Sequence, residues 1–129
     1  LYTGRHLNYQ IMINRIDLGK KGEELARKFL NKKEYNIVDH NFHCRYGEID
    51  LVLRKDKSFH FVEVKYRRTL EYGLPQEAVH KEKQKKIQKV ALLWLKKRHL
   101  PMDTEVHFDV LAISQRGNEI EYEYIEDAF

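Results

Sequence analysis

The 129 residues are enough for one compact domain and leave little room for two. A composition of 42% hydrophobic and 12% aromatic residues can fill a modest core, which excludes a disordered chain. The 34% charged fraction, net charge of +4 and pI near 9.1 fit plain solubility and equally a polyanionic partner.

Cys44 is the single cysteine, so no intrachain disulfide can form and a cytoplasmic setting is expected. Among the seven histidines, His40 and His43 are spaced i, i+3, but one cysteine completes no closed Cys/His zinc set. The sequence contains no apolar run long enough to span a bilayer and no charged-then-apolar leader, so no membrane association is expected.

Along the chain, residues 1–14 read as an N-terminal extension or expression remnant, with Met12 a natural start, and 15–129 as a single domain. Asp17 can cap a helix over about 17–33, because Leu18, Gly22, Leu25, Ala26, Phe29 and Leu30 recur at helical spacing. NIVDHNFHCR predicts a strand, and EIDLVLR and FHFVEVKYR predict two more with only KDKS between them. RTLEYGLPQEA reads as a loop. A second helix is expected over about 76–98, with Ile87, Val90, Ala91, Trp94 and Leu95 as its apolar stripe. EVHFDVLAI is a further strand, RGN a turn, and EIEYEYI alternates as a half-exposed edge strand would. The order α-β-β-β-α-β-β predicts an α/β fold with a mixed, hairpin-containing central sheet flanked by helices.

Charged residues in the central strands are the unusual feature, since an unpaired buried charge costs several kcal/mol or more. A hairpin turn centred on Asp56-Lys57 puts Leu51 opposite Val62 and Ile49 opposite Val64. The same register sets Asp50 opposite Glu63 and Glu48 opposite Lys65. Two facing carboxylates repel, and a divalent cation removes that difficulty. A lysine beside it could orient a water or stabilise charge on a phosphate. The bland alternative is an exposed Glu63–Lys65 ion pair worth about 0–1 kcal/mol.

The blocks GKKGEELARKFL, NFHCRYGEIDLV, FVEVKYR, GLPQEAVHKEK and FDVLAI, in this order from about Leu18 to Ile113, carry a resemblance to a known family. The chain resembles the YraN-like family of small bacterial proteins in the PD-(D/E)XK nuclease superfamily, relatives of archaeal Holliday junction resolvases. That resemblance implies a restriction-endonuclease-like fold with helices on both faces of the sheet. It implies Mg²⁺ or Mn²⁺ at Asp50 and Glu63, the Val64 carbonyl as a further ligand, and Lys65 as the catalytic lysine. Glu23 matches the first-helix glutamate that reaches the metal in resolvase-type relatives. Ile49 stands where the superfamily name has proline, and Tyr66 where relatives more often carry a small polar residue.

Each remaining residue has a bland alternative. Glu48 holds a metal-bound water or pairs with Lys65; Glu23 approaches the metal or forms an i, i+4 surface pair with Arg27. Arg67, Arg68, Lys81, Lys83, Lys85 and Lys86 form a phosphate-tracking surface or a solvated face, with Lys83 the one expected beside the site. Trp94 and Asp109 are expected to be structural, and His43 and His107 lack a partner at usable spacing. The expected function is a divalent-metal-dependent endonuclease, or nuclease-like protein, on DNA phosphodiester bonds, with branched DNA one substrate form. A catalytically inactive nucleic-acid-binding module on the same scaffold is the alternative, and partner binding through the acidic strand EIEYEYIEDAF a third. A junction cutter would make geometric sense as a symmetric homodimer.

Overall fold

The computed structural model describes residues 6–12, 27–67, 81–116 and 119–129. The strands are β1 (His6–Met12), β2 (Asn36–Cys44), β3 (Gly47–Lys55), β4 (Ser58–Arg67), β5 (Val106–Arg116) and β6 (Glu119–Ile125). Helix α1 is described over 27–32, and α2 spans Lys81–Lys97. The remainder of the first predicted helix, and the loop between β4 and α2, lie outside the described residues.

One six-stranded sheet has the order β1-β6-β5-β4-β3-β2. Among the described residues only β4 and β5 run parallel, from Phe59↔Val106 to Arg67↔Ser114. Parallel neighbours need a crossover, and α2 lies on the connection between them. The other pairs are antiparallel, so the sheet is mixed, as the sequence predicts.

Alternation along β4 sends Phe61 to the α2 side and Val62 to the α1 side. On the first side Ile87, Val90, Ala91, Trp94 and Leu95, the predicted stripe, pack with Ile49, Val52 and Val110. On the second, Phe29 and Leu30 pack with Tyr35, Leu53, Leu111, Tyr122 and Tyr124. Burying these side chains is the main driving force for the fold.

Both helices end in the same way. Tyr35 N–H donates to the Leu30 carbonyl and Glu34 N–H to that of Asn31, with Glu34 at φ 67°. Leu100 and His99 repeat the pattern on Leu95 and Lys96, with His99 at φ 57°. These are Schellman caps, built here on non-glycine residues in the left-handed region.

The strand β6 is not an edge. Its alternation is as predicted, with Ile120, Tyr122 and Tyr124 buried, but β1 pairs along its whole length, from His6↔Ile125 to Met12↔Glu119. Residues 6–12, part of the segment read as an extension, therefore cover the strand expected to be exposed. Trp94 is core as expected: it is 1% exposed, and its Nε1 donates to Asp39 Oδ2 at 2.9 Å. Among the described residues no helix is long and apolar enough to cross a membrane.

Candidate functional site

The β3–β4 hairpin turns at Asp56-Lys57, with Asp56 at φ 55°. Its ladder runs from Lys55↔Ser58 to Leu51↔Val62, in the predicted register. There the pairing stops, before the predicted Asp50–Glu63, Ile49–Val64 and Glu48–Lys65 pairs. In place of a backbone carbonyl, Asp50 Oδ2 accepts the Val64 N–H at 2.8 Å. A side-chain acceptor is longer than a carbonyl, so β3 departs from β4 at this point. On its other edge β3 pairs with β2 at Phe42↔Ile49 and His40↔Leu51, skipping Asn41, which has φ 49°. Ile49 and Val52 thus both pack against α2 despite an odd spacing of three.

The divergence opens a cleft of about 140 Å³, lined by Tyr46, Gly47, Glu48, Asp50, Glu63, Lys83, Lys86, Ile87 and Val90. Asp50 and Glu63 therefore line one cavity. Asp50 also lines a second cavity of about 300 Å³ on the α1 side, together with Arg27, His40 and Asn41.

Glu63 is 8% exposed and would be costly if unpaired. Two ammonium groups share its Oε1: Lys83 Nζ at 2.5 Å and Lys65 Nζ at 3.5 Å. Burial works to lower the Lys83 pKa, but the hydrogen bond and charge of Glu63 outweigh it and hold Lys83 protonated above the usual lysine range. Burial pushes the Asp50 carboxyl up; Glu63 and Glu48 add to this, while the Val64 N–H and Lys83 pull the other way.

Of the other predicted residues, Glu48 pairs with His43 at 3.0 Å, directly across the β2–β3 ladder, and not with Lys65. On α2, Lys83 and Lys86 stand one turn before Ile87 and Val90 of the inward stripe and reach the cleft, whereas Lys81 and Lys85 are exposed and do not line it. Arg67 ends β4; Glu23 and Arg68 lie outside the described residues. Among the described residues no three His, Cys, Asp or Glu side chains converge as a metal-ligand group. The carboxylates that line the cleft among the described residues are Glu48, Asp50 and Glu63.

Two histidines dismissed on spacing have partners after all. Besides the His43–Glu48 pair, His107 bonds Asp127 through Nδ1 at 2.6 Å and Glu105 through Nε2 at 2.8 Å. Burial opposes the charged form of His107, but these two carboxylates raise its pKa. Its ring also stacks on His60 at 4.5 Å. The Asp127 contact spans twenty residues, which no local spacing rule can find. A second group missed in sequence is the Arg45-Tyr46 turn at the cleft mouth, whose only signal was an aromatic beside GEID.

Gly47 shapes that mouth. Its φ of 143° is a conformation that side-chain-bearing residues rarely adopt, while an added Cβ would meet only Val90 Cγ2 at an ordinary 3.9 Å. Gly47→Ala is therefore expected to cost about 1–3 kcal/mol from backbone strain rather than a clash. Denaturant unfolding checks this, and a cost below about 0.5 kcal/mol would refute it.

The model of the uncharacterised protein family UPF0102 matches residues 22–113, which span α1 to β5 and every described residue of the cleft. A UPF0102 protein of Geobacter sulfurreducens is 50% identical over 97 residues, covering 75% of each chain. One from Geotalea uraniireducens is 46% identical over 113 residues (87% of this chain and 88% of the relative), and one from Syntrophomonas wolfei 45% identical over 115 residues (88% and 97%). The mixed sheet, the D…E-x-K hairpin and these matches agree: the chain belongs to UPF0102, the YraN family, which is nuclease-like in its PD-(D/E)XK pattern.

Proposed function

We propose that this protein is a divalent-metal-dependent endonuclease, or a nuclease-like protein, acting on phosphodiester bonds of DNA. One observation carries the proposal. Asp50 and Glu63 open into a single cleft where β3 leaves β4, with Lys65 and Lys83 beside them.

The donor set suits a hard cation. Mg²⁺ is commonly held by one or two carboxylates, with water and substrate phosphate completing its shell. Asp50, Glu63 and the Val64 carbonyl would hold Mg²⁺ or Mn²⁺, which when bound would act as a Lewis acid and lower the pKa of a bound water. Glu23 and Glu48 are further oxygen donors in this proposal.

The chain's own groups divide the remaining work. Lys65, next to Glu63, orients the attacking water and stabilises charge developing on the phosphate. Lys83 and Lys86, at the cleft wall, hold the phosphate backbone, with Lys81, Lys85, Arg67 and Arg68 extending the basic track. DNA, a cytoplasmic location and a homodimer that offers two sites to two strands belong to the same reading.

A second reading has its own observation. Lys83 Nζ pairs with Glu63 Oε1 at 2.5 Å, an ion pair that would also serve a binding module with no cleavage. One comparison separates the two. Purified protein is incubated with branched, single-stranded and duplex DNA, with Mg²⁺ or Mn²⁺ and with chelator, beside Lys65→Ala. The enzyme requires that chelation stops cleavage and that Lys65→Ala lowers its rate by about 10²-fold or more. Binding that survives both changes with no cleavage leaves the module. Loss of all DNA binding removes both.

A further inference from the structure

We propose that the turn between β2 and β3, Arg45-Tyr46, is a stacking platform that seats an unpaired nucleobase at the mouth of the cleft. The preferred substrate is then single-stranded at that position. This rests on the nucleic-acid reading of the cleft and specifies which form of nucleic acid enters it.

Three large hydrophobic side chains are prominently exposed among the described residues: Tyr46, Leu92 and Met102. Scattered exposed apolar residues need no explanation, and Leu92 and Met102 do not line the cleft. Tyr46 lines the same cavity as Asp50 and Glu63. It sits immediately before Gly47, the first residue of β3, which has φ 143°.

Cations surround its ring. The Arg45 guanidinium lies 4.8 Å from the ring centroid and donates to the Tyr46 hydroxyl at 2.7 Å. Lys89 Nζ, on α2, is 5.8 Å from the same centroid. Arg45, Tyr46 and Lys89 are all exposed, so this group adds little to core packing. Exposed cation–π contacts are weak, so a base can displace the guanidinium or stack on its plane. An aromatic face interleaved with lysine and arginine is the arrangement that binds single strands: stacking holds the base while the cations follow the backbone. In a duplex both faces of each base are already stacked on neighbours, and only an unpaired or extruded base can offer one to Tyr46. Lys83 and Lys86, on the same cleft wall, are placed to take the adjoining phosphates.

The test needs no cleavage. Binding of labelled 12-nucleotide oligothymidine, the same strand with abasic sites, and a 12-base-pair duplex is measured by fluorescence anisotropy in chelator. The probes are titrated with wild type, Tyr46→Ala and Tyr46→Trp, each first shown to unfold at the wild-type midpoint. Wild type is expected to bind the thymidine strand about ten- to hundredfold more tightly than Tyr46→Ala does. Tyr46→Trp should restore that affinity. On the abasic strand and the duplex, wild type and Tyr46→Ala should agree, because phosphate contacts alone remain. Equal binding of the thymidine strand by wild type and Tyr46→Ala overturns the platform, as does an equal loss on all three probes. In either case the nucleic-acid reading stands, because wild type still binds. If wild type binds none of the probes, that reading falls and the platform with it.

Discussion

Asp109→Ala is expected to lower the stability of this domain by about 3–5 kcal/mol, the cost of removing one partner from a buried charged network. Asp109 is wholly buried, and each of its oxygens is in use. Oδ2 bonds His60 Nδ1 at 2.6 Å and accepts the Tyr124 hydroxyl; Oδ1 accepts the Asp127 N–H at 2.8 Å. A carboxylate can only accept, so Nδ1 carries the His60 proton. Alanine would leave these three donors without their acceptor. The damage would spread through the contacts that depend on them: the His60 ring stacks on His107 and meets the edge of Tyr35, and the turn after β6 returns to the sheet through Ala128 N–H and the Phe108 carbonyl. Thermal unfolding should fall by about 10–20 °C. Asp109→Asn keeps one acceptor and should lose less. The cleft lies further along β4, three to five residues beyond His60 and about 10–17 Å away at strand spacing. Nucleic-acid binding measured below the lowered midpoint should therefore be unchanged. A loss under 1 kcal/mol would show that the network is not structural.

Local patterns carried the sheet a long way. The two-residue turn at Asp56-Lys57 and the apolar match of Leu51 with Val62 follow from period-two alternation and short-loop geometry, and the ladder has that register. The stripe from Ile87 to Leu95 is buried as its spacing requires. Legibility failed where a side chain competes with the backbone. A pattern that assumes an unbroken ladder cannot foresee that Asp50 will bond Val64 N–H and end the pairing one rung before the charged residues. For the same reason the facing-carboxylate geometry gave way to a wedge. Long-range partners were equally silent. His107 finds Asp127, and β6 finds β1, across separations that periodicity does not encode. Lys83 was drawn to the site by its block, AVHKEK, and its reach to Glu63 follows from the helical turn that places it four residues before Ile87.

Asp50→Asn should separate activity from stability, because the two demands on this side chain oppose each other. As a hydrogen-bond acceptor it needs only an oxygen for Val64 N–H, which asparagine keeps. As a charge it is badly placed: burial, then Glu63 and Glu48, raise its pKa above 3.8 against the pull of Val64 N–H and Lys83. A raised folded-state pKa means the folded protein holds the proton more tightly than the unfolded chain. Stability therefore falls as pH rises from 3.8 through the raised value, and above it the ionised group is a standing cost. Removing that charge should leave the metal-free protein as stable as wild type or more so, by about 0.5–1 kcal/mol. Asp50→Ala also removes the acceptor and should instead lose about 1–3 kcal/mol. If the site holds a divalent cation, loss of one of two carboxylates forfeits several kcal/mol of charge stabilisation, and metal-dependent cleavage should fall about 10³-fold. At subsaturating metal the wild-type rate should also decline on acidification, since the proton competes with the metal for a carboxyl whose metal-free pKa is raised. Unchanged cleavage by Asp50→Asn would end the metal reading, and a stability loss equal to that of Asp50→Ala would show that the charge, not the acceptor, holds β3 away from β4. A carboxylate that weakens the fold when ionised is a liability that a bound cation would offset, which is the conflict between stability and function expected of the proposed site.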